Sequence, residues 1–319
     1  MEKNPEVVVG QFLQGRDVLT WADYATGEIE QLLESARRLK EQQQQGATQQ
    51  TLAGRSLGMI FENASTRTRV SFEVGMTQLG GHALFLNSTD LQIGRGEPVD
   101  DTAKVLSRYV DGIMIRANDH EKVKRLAEKS EVPVINALTD WYHPCQALAD
   151  MLTVQEHLDQ LNGRKLVYVG DGNNVAHSVM IIAAKLGMDI TLSTPEGYEG
   201  EADVWAEARA IAEQTGSKVA HVVDPREALQ DADIVYTDVW VSMGVEKEAD
   251  KRNKAFRRYQ VNEELMSLAK KEAIFMHCLP AHRGEEVSAE VIDGPQSVVF
   301  DQAENRLHVQ KAILQAVMR

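Results

Sequence analysis

Residues 61–72 read F-E-N-A-S-T-R-T-R-V-S-F, which puts the hydroxyls of Ser65, Thr66 and Thr68 and the guanidiniums of Arg67 and Arg69 into five consecutive positions. They stand between an apolar strand-like run, residues 57–61, and an amphipathic helical stretch that ends at Gly80-Gly81. Ser65 is a good helix N-cap. Behind it the first turn leaves backbone N–H groups without intrahelical partners, aligned with the positive end of the helix dipole, and anions bind at such ends. Two arginines in that turn are electrostatically wrong for the helix unless an anion compensates them. The alternative is a capped surface helix with solvated arginines. The density of hydroxyls and guanidiniums favours a phosphate site.

Other segments carry chemistry of the same kind. Arg116 closes the buried-looking run G-I-M-I-R, where its guanidinium either forks onto a phosphate or carbonyl oxygen or makes a strand-end salt bridge. His143-Pro144-Cys145-Gln146 sets an imidazole just ahead of a helix with Pro144 at N1. His143 can polarise a carbonyl there or merely cap the helix, and Gln146 can bind an amide. G-D-G-N-N-V at residues 170–175 lacks the third glycine of a dinucleotide fingerprint, and no acidic residue ends the next strand, so a nicotinamide cofactor is not expected. Asp171, Asn173 and Asn174 suit a small polar solute better. D-V-W-V-S-M-G at residues 238–244 joins a carboxylate to a Ser-Met-Gly turn, able to accept from an ammonium and donate to a carboxylate, as an amino acid requires. His277-Cys278-Leu279-Pro280 holds the second of two cysteines, and Cys278 is either a nucleophile activated by a nearby histidine or a packing group. His143, Cys145, His277 and Cys278 together offer zinc ligands, but neither pair has the spacing that aims two ligands at one ion, and no metal is expected. Arg306, in Q-A-E-N-R, is either a surface arginine or reaches back toward the site.

The elements that must position these residues alternate between short β-branched runs and longer helical patterns, the signature of parallel sheets covered by helices. Strands are expected at residues 57–61, 83–87, 112–116 and 132–136, then at 165–170, 189–193, 218–223, 234–239 and 273–278. Helices are expected at 70–79, 102–109, 121–129, 145–158, 175–186, 202–215 and 304–318. The glutamine-rich stretch 42–50 reads as a solvated helix end or loop. A chain of 319 residues exceeds one comfortable core, so the fold class is α/β with two domains, each a parallel sheet flanked by helices. The boundary is expected near residue 150, giving domains at 1–150 and 151–300, with the final helix, about 301–319, packing back on the first. Ligand sites in such sheets lie beyond the carboxyl ends of the strands, where all these segments fall. A formal net charge of -14, from 34 Lys and Arg against 48 Asp and Glu, argues against nucleic acid or an anionic membrane as partner. Any anion must then be drawn by local geometry. No apolar run is long enough to span a bilayer, residues 1–5 show neither a signal nor a transit pattern, and two cysteines are too few for a disulfide scaffold, so a cytoplasmic protein is expected.

Taken in order, S-T-R-T-R, H-P-C-Q, D-V-W-V-S-M-G, H-C-L-P-A-H-R-G-E-E-V and F-D-Q-A-E-N-R-L-H-V-Q-K-A resemble the ornithine carbamoyltransferases over nearly the whole chain. The first two motifs are shared with aspartate carbamoyltransferases and point only to carbamoyl phosphate. D-V-W-V-S-M-G together with H-C-L-P resembles the ornithine-specific branch; putrescine carbamoyltransferases lack the Ser-Met-Gly element. The resemblance implies two α/β domains with the active site in the interdomain cleft, a homotrimer or multiple of trimers with sites at subunit interfaces, no cofactor and no metal. It implies carbamoyl transfer to L-ornithine in arginine biosynthesis, or the reverse in arginine catabolism. By the same resemblance, Ser65, Thr66, Arg67, Thr68 and Arg116 take the phosphate, with Gln92 supplied to a neighbouring subunit. Thr68, Arg116 and His143 polarise the carbonyl, Gln146 meets the carbamoyl nitrogen, and Pro144, Cys145 and Arg306 belong to the same set. Asn174, Asp238, Ser242 and Met243 hold the ornithine α-amino and α-carboxyl groups, while Cys278 and Leu279 line the place where the δ-amine meets the carbamoyl group. Arg116, His143 and Cys278 are the catalytic candidates, and Arg69 is left with a structural part. Two rivals stand beside this reading: a related transferase with another amine acceptor, and a non-catalytic binding or regulatory protein that kept the fold.

Overall fold

The computed structural model describes residues 13–47, 49–92, 96–241 and 246–318. These divide into two compact units, one built from the described residues of 13–19, 27–140 and 307–318 and the other from those of 20–26 and 141–306.

The first unit carries a four-stranded parallel sheet of β1 (Ser56–Phe61), β2 (His82–Asn87), β3 (Gly112–Arg116) and β4 (Val134–Leu138), in the order β2-β1-β3-β4. β3 and β4 are buried along their whole length and β1 nearly so, as strands covered on both faces by crossover helices must be. β2 lies at the edge and is the most exposed. Three strands fall within a residue of expectation. The fourth starts two residues late, after Pro133, which has no N–H to donate; the Val134 N–H goes to Asp17 Oδ1 at 2.8 Å. The helix expected at 70–79 begins at Thr66 and runs to Gln78, and the one expected at 102–109 spans Val99–Leu106, opening behind Pro98 with Asp100 and Asp101 in its first turn. Gly112 makes a close approach: a Cβ there would stand 3.1 Å from the Met318 side chain, which would have to give by a few tenths of an ångström.

The second unit carries five parallel strands, β5 (Lys165–Val169), β6 (Asp189–Ser193), β7 (Val219–His221), β8 (Ile234–Thr237) and β9 (Ile274–His277), in the order β7-β6-β5-β8-β9. The helix Asn174–Lys185 is almost entirely apolar after its first turn and has ten buried residues, so it packs on the sheet and under its neighbours at once. Val167, Val169, Val235 and Phe275 anchor a core completed by Trp240, Phe256 and Tyr259. Each large side chain fully buried in this way contributes roughly 1.5–3 kcal/mol. β8 and β9 end earlier than expected, at Thr237 and His277, which leaves Asp238 and Cys278 in the loops just past the strand ends. The last helix opens at Val299, five residues before expectation. A long helix, Thr26–Gln44, was not among the expected elements; it ends inside the glutamine-rich stretch.

Candidate active site

In a parallel sheet whose strand order reverses, a crevice opens at the carboxyl ends of the two strands flanking the reversal. In the first unit those strands are β1 and β3, where Phe61 and Arg116 are register partners. Ser65 caps the helix after β1 as its type predicts, its Oγ accepting from Thr68 N–H at 3.3 Å with its φ in the extended region. Ser65 Oγ also bonds Thr68 Oγ1 at 3.1 Å, so two of the three hydroxyls are tied together at the helix end. Thr68 is buried, Ser65 and Arg67 are half-buried and Thr66 is exposed. Arg69 points elsewhere: its Nε lies 3.0 Å from Glu73 Oε1 and its guanidinium 3.8 Å from the centre of the Phe85 ring. Arg116 is only 7% exposed. The pairing of β3 with β4 shifts register between Ile115 and Arg116, an irregularity of the kind that re-aims a side chain at a strand end. Gln92 is exposed, its carbonyl accepting from Glu97 N–H at 3.1 Å.

In the second unit His143 is the N-cap residue of the helix Pro144–Leu158, with Pro144 at its start. No side-chain cap bond is made by His143. Its backbone N–H donates instead to Ser178 Oγ at 2.7 Å, and Ser178 Oγ donates to the carbonyl of Asn174 at 2.9 Å, so one buried serine joins two candidate segments. His177 braces the residues that lead into this helix. Its Nε2 accepts from Glu201 N–H at 3.1 Å, which leaves the proton on Nδ1 to donate to the Trp141 carbonyl at 3.0 Å. Burial holds that imidazole down to about 4, neutral through the physiological range. Burial likewise pushes the Cys145 thiol up to about 12, which makes Cys145 a packing group and not a nucleophile. Gln146 is buried, its Oε1 accepting from Arg306 Nη1 at 2.8 Å and its Nε2 donating to Asp150 at 2.8 Å.

Strand order in this sheet reverses between β5 and β8, and a cluster of polar groups stands there. Asn173 caps the helix that begins at Asn174, its Oδ1 accepting from the N–H groups of Val175 and Ala176. With its oxygen so engaged, Asn173 Nδ2 donates to Asp238 Oδ2 at 2.8 Å. The other carboxylate oxygen of Asp238 accepts from Cys278 Sγ at 3.1 Å. Asn174 is half-buried beside this group. Leu279 holds φ at 56°, a left-handed conformation costly for a leucine, and its N–H donates to His277 Nδ1 at 2.8 Å. That bond leaves the His277 proton on Nε2, 3.1 Å from Glu286 Oε1 in a pair buried on both sides. Burial works against charge on Glu286, yet the bonds from His277 and from His282 N–H hold its carboxyl below the usual range. Ligand-capable atoms of Asp238, His277 and Cys278 lie within 4.8 Å of one another, while both nitrogens of His277 are already hydrogen-bonded. Asp171 pairs with Arg252 at 2.7 Å, and burial lifts it to about 6 in spite of that guanidinium.

Ser242 and Met243 lie outside the described residues. Ser178, His177 and Asp150 escaped the sequence reading because they sit in helical runs with no motif spacing. Their signal was a polar residue at a core position, legible only once the helix faces are known.

Residues 16–156 match the family model described as aspartate/ornithine carbamoyltransferase, carbamoyl-P binding domain, and residues 162–317 match aspartate/ornithine carbamoyltransferase, Asp/Orn binding domain. The chain is 60% identical over 306 residues to the ornithine carbamoyltransferase of Halalkalibacterium halodurans, covering 96% of each, and 58% identical over 308 residues to the anabolic ornithine carbamoyltransferase of Pyrococcus furiosus, covering 96% of this chain and 97% of that one. The solved structure of the Pyrococcus furiosus ornithine carbamoyltransferase superposes with a TM-score of 0.94 at 56% identity, covering 98% of this chain and 99% of that one. That of Thermus thermophilus superposes at 0.86 and 42% identity, over 95% and 99%. The chain belongs to the aspartate/ornithine carbamoyltransferase family and stands among its ornithine carbamoyltransferases.

Proposed function

We propose that this chain transfers the carbamoyl group of carbamoyl phosphate to the δ-amine of L-ornithine, giving L-citrulline and phosphate, and that the residues described above divide the work. In the first unit the Ser65-capped helix end, with Thr66, Arg67, Thr68 and Arg116, receives the phosphate. In the second unit His143 and Gln146 address the carbamoyl oxygen and nitrogen, with Arg306 beside Gln146. Asn174 and Asp238 hold the α-amino end of ornithine, and Ser242 and Met243 its carboxyl end. Cys278 and Leu279 stand where the amine arrives. The observation that carries the acceptor half is the Asp238 carboxylate, held by Asn173 and met by the Cys278 thiol where the sheet order reverses.

The chemistry needs no cofactor, because carbamoyl phosphate is already activated. The neutral δ-amine attacks the carbonyl carbon, a C–N bond forms, the C–O bond to phosphate breaks, and the amine gives up a proton. Holding the two substrates in line and stabilising charge on the carbonyl oxygen and departing phosphate supply the rate.

The protein works as a homotrimer, with Gln92 completing a neighbour's phosphate site. Support comes from an apolar patch of Val70 and Val74 on one helix and Leu84 and Phe85 on the edge strand, each more than a third exposed, which a second copy would cover. It works in the cytoplasm, a reading supported by two free thiols; no helix among the described residues is long and apolar enough to cross a membrane. The test is to supply carbamoyl phosphate and L-ornithine and measure both products. Citrulline and phosphate in equal amounts are expected, and phosphate release without citrulline overturns the reading.

A further inference from the structure

A buried carboxylate that the reaction itself does not use sits one helical turn behind Gln146. Asp150 is fully buried, and its Oδ1 accepts from two side-chain amides, Gln146 Nε2 at 2.8 Å and Gln302 Nε2 at 2.7 Å, while its Oδ2 accepts from the Tyr236 hydroxyl at 3.1 Å. A glutamine amide can be turned either way, but here each is fixed from both ends. The oxygen of Gln302 faces the His277 backbone N–H at 3.0 Å, and the oxygen of Gln146 faces Arg306 at 2.8 Å; both partners can only donate. Asp150 holds the opposite ends, and the Tyr236 hydroxyl also accepts from Gln302 Nε2 at 3.1 Å. Were Arg306 to leave Gln146 for a bound substrate, Asp150 alone would keep the Gln146 oxygen turned outward.

We propose that Asp150 is a positioning residue for donor specificity: by taking the NH2 groups of Gln146 and Gln302 it presents the Gln146 oxygen, an acceptor, to the carbamoyl amine. Once Arg306 turns to the substrate, the site prefers a donor whose carbonyl bears NH2 over one bearing a methyl group, since a methyl then leaves that buried oxygen unsatisfied. An amide at this position keeps the acceptor at Oδ1 and turns its NH2 toward the Tyr236 hydroxyl, which already accepts from Gln302 Nε2 at 3.1 Å. Burial lifts the Asp150 carboxyl to about 7, against the bonds from Gln146, Gln302 and Tyr236 and the charge of Arg306, which agrees with a group kept for geometry more than for charge.

The proposal rests on Gln146 as the acceptor for the carbamoyl amine, and the experiment separates the two claims. Acetyl phosphate, which replaces the amine by a methyl group, is measured as an inhibitor competing with carbamoyl phosphate, and the readout is the ratio of its Ki to the KM for carbamoyl phosphate. Asp150→Ala is expected to lower that ratio about tenfold through KM, the scale of one lost buried hydrogen bond, with the Ki of acetyl phosphate little changed. Asp150→Leu serves the same end if the alanine variant does not fold. Asp150→Asn is expected to retain the ratio. A ratio unchanged in the apolar variants, or lost in Asp150→Asn, overturns the proposal. If Gln146→Ala leaves the ratio intact, the underlying reading of Gln146 fails. If Gln146→Ala abolishes it and the apolar Asp150 variants do not, the claim for Asp150 fails alone.

Discussion

Cys278 gives its thiol hydrogen to Asp238, Sγ to Oδ1 at 3.1 Å, across the loops that follow two adjacent strands. The same carboxylate takes Asn173 Nδ2 on its other oxygen, so its orientation is set before any amino acid arrives. A carboxylate so held can accept the α-ammonium of ornithine without first being ordered, which is where preorganisation saves free energy.

Replacing the thiol tests how much of this comes from Cys278. Cys278→Ala removes a donor to a charged group and is expected to lower kcat/KM for ornithine about tenfold or more. Cys278→Ser, whose hydroxyl can still donate to Asp238, is expected to lose less. Steady-state kinetics with ornithine varied decides it, and wild-type behaviour in Cys278→Ala would reduce the thiol to packing.

Arg116 is expected to matter most for rate. Its buried guanidinium ends β3 beside the switch point, and removing a donor to a developing oxyanion typically costs about 10²–10³ in rate. Arg116→Ala with near-native turnover would remove it from the site.

The attacking amine must be neutral. Activity is therefore expected to rise with pH from neutral into the alkaline range as bound ornithine loses its proton, and a flat profile over that range contradicts direct attack by the amine.

Stability in acid should report His177. The unfolded chain takes up a proton near 6.5, while the folded protein resists it until about 4, so stability is lost as pH falls through that window. The effect is at most about 3 kcal/mol, or several degrees in Tm. Asp150 titrates with the opposite sign between its ordinary value and about 7, so the check is a difference: Tm against pH for wild type and His177→Gln. The variant is expected to be less stable at neutral pH and to show a weaker decline below about 6.5. Parallel curves would mean that His177 takes up its proton over the same pH range in the folded protein as in the unfolded chain.

Much of this arrangement was legible beforehand. The Ser65 cap, Pro144 at a helix start and the parallel strands follow from local chemistry: a hydroxyl ahead of an apolar period, a proline that needs no N–H partner, and β-branched runs between helices. Arg69, left a structural part by the resemblance, pairs with Glu73 and stacks on Phe85. What stayed hidden is second-neighbour support. Ser178 and His177 act through bonds that close only when their helix packs beside residues 141–143, and Asp150, one helical turn from Gln146, meets Gln302 and Tyr236 only once the chain has folded. Strand ends were misjudged where Val239 and Cys278 continue the local pattern past the last ladder bond. The helix Thr26–Gln44 went unseen although Ile29, Leu32, Leu33, Ala36 and Leu39 keep helical spacing, because its polar face dominates the composition.

If the second unit reads ornithine, kcat/KM measured at saturating carbamoyl phosphate separates L-ornithine from acetylornithine, putrescine and aspartate. Ornithine is expected to lead by orders of magnitude, with putrescine failing for want of the α-carboxylate and acetylornithine for want of a free α-ammonium to offer Asp238. Equal or better turnover of any of the other three would contradict it.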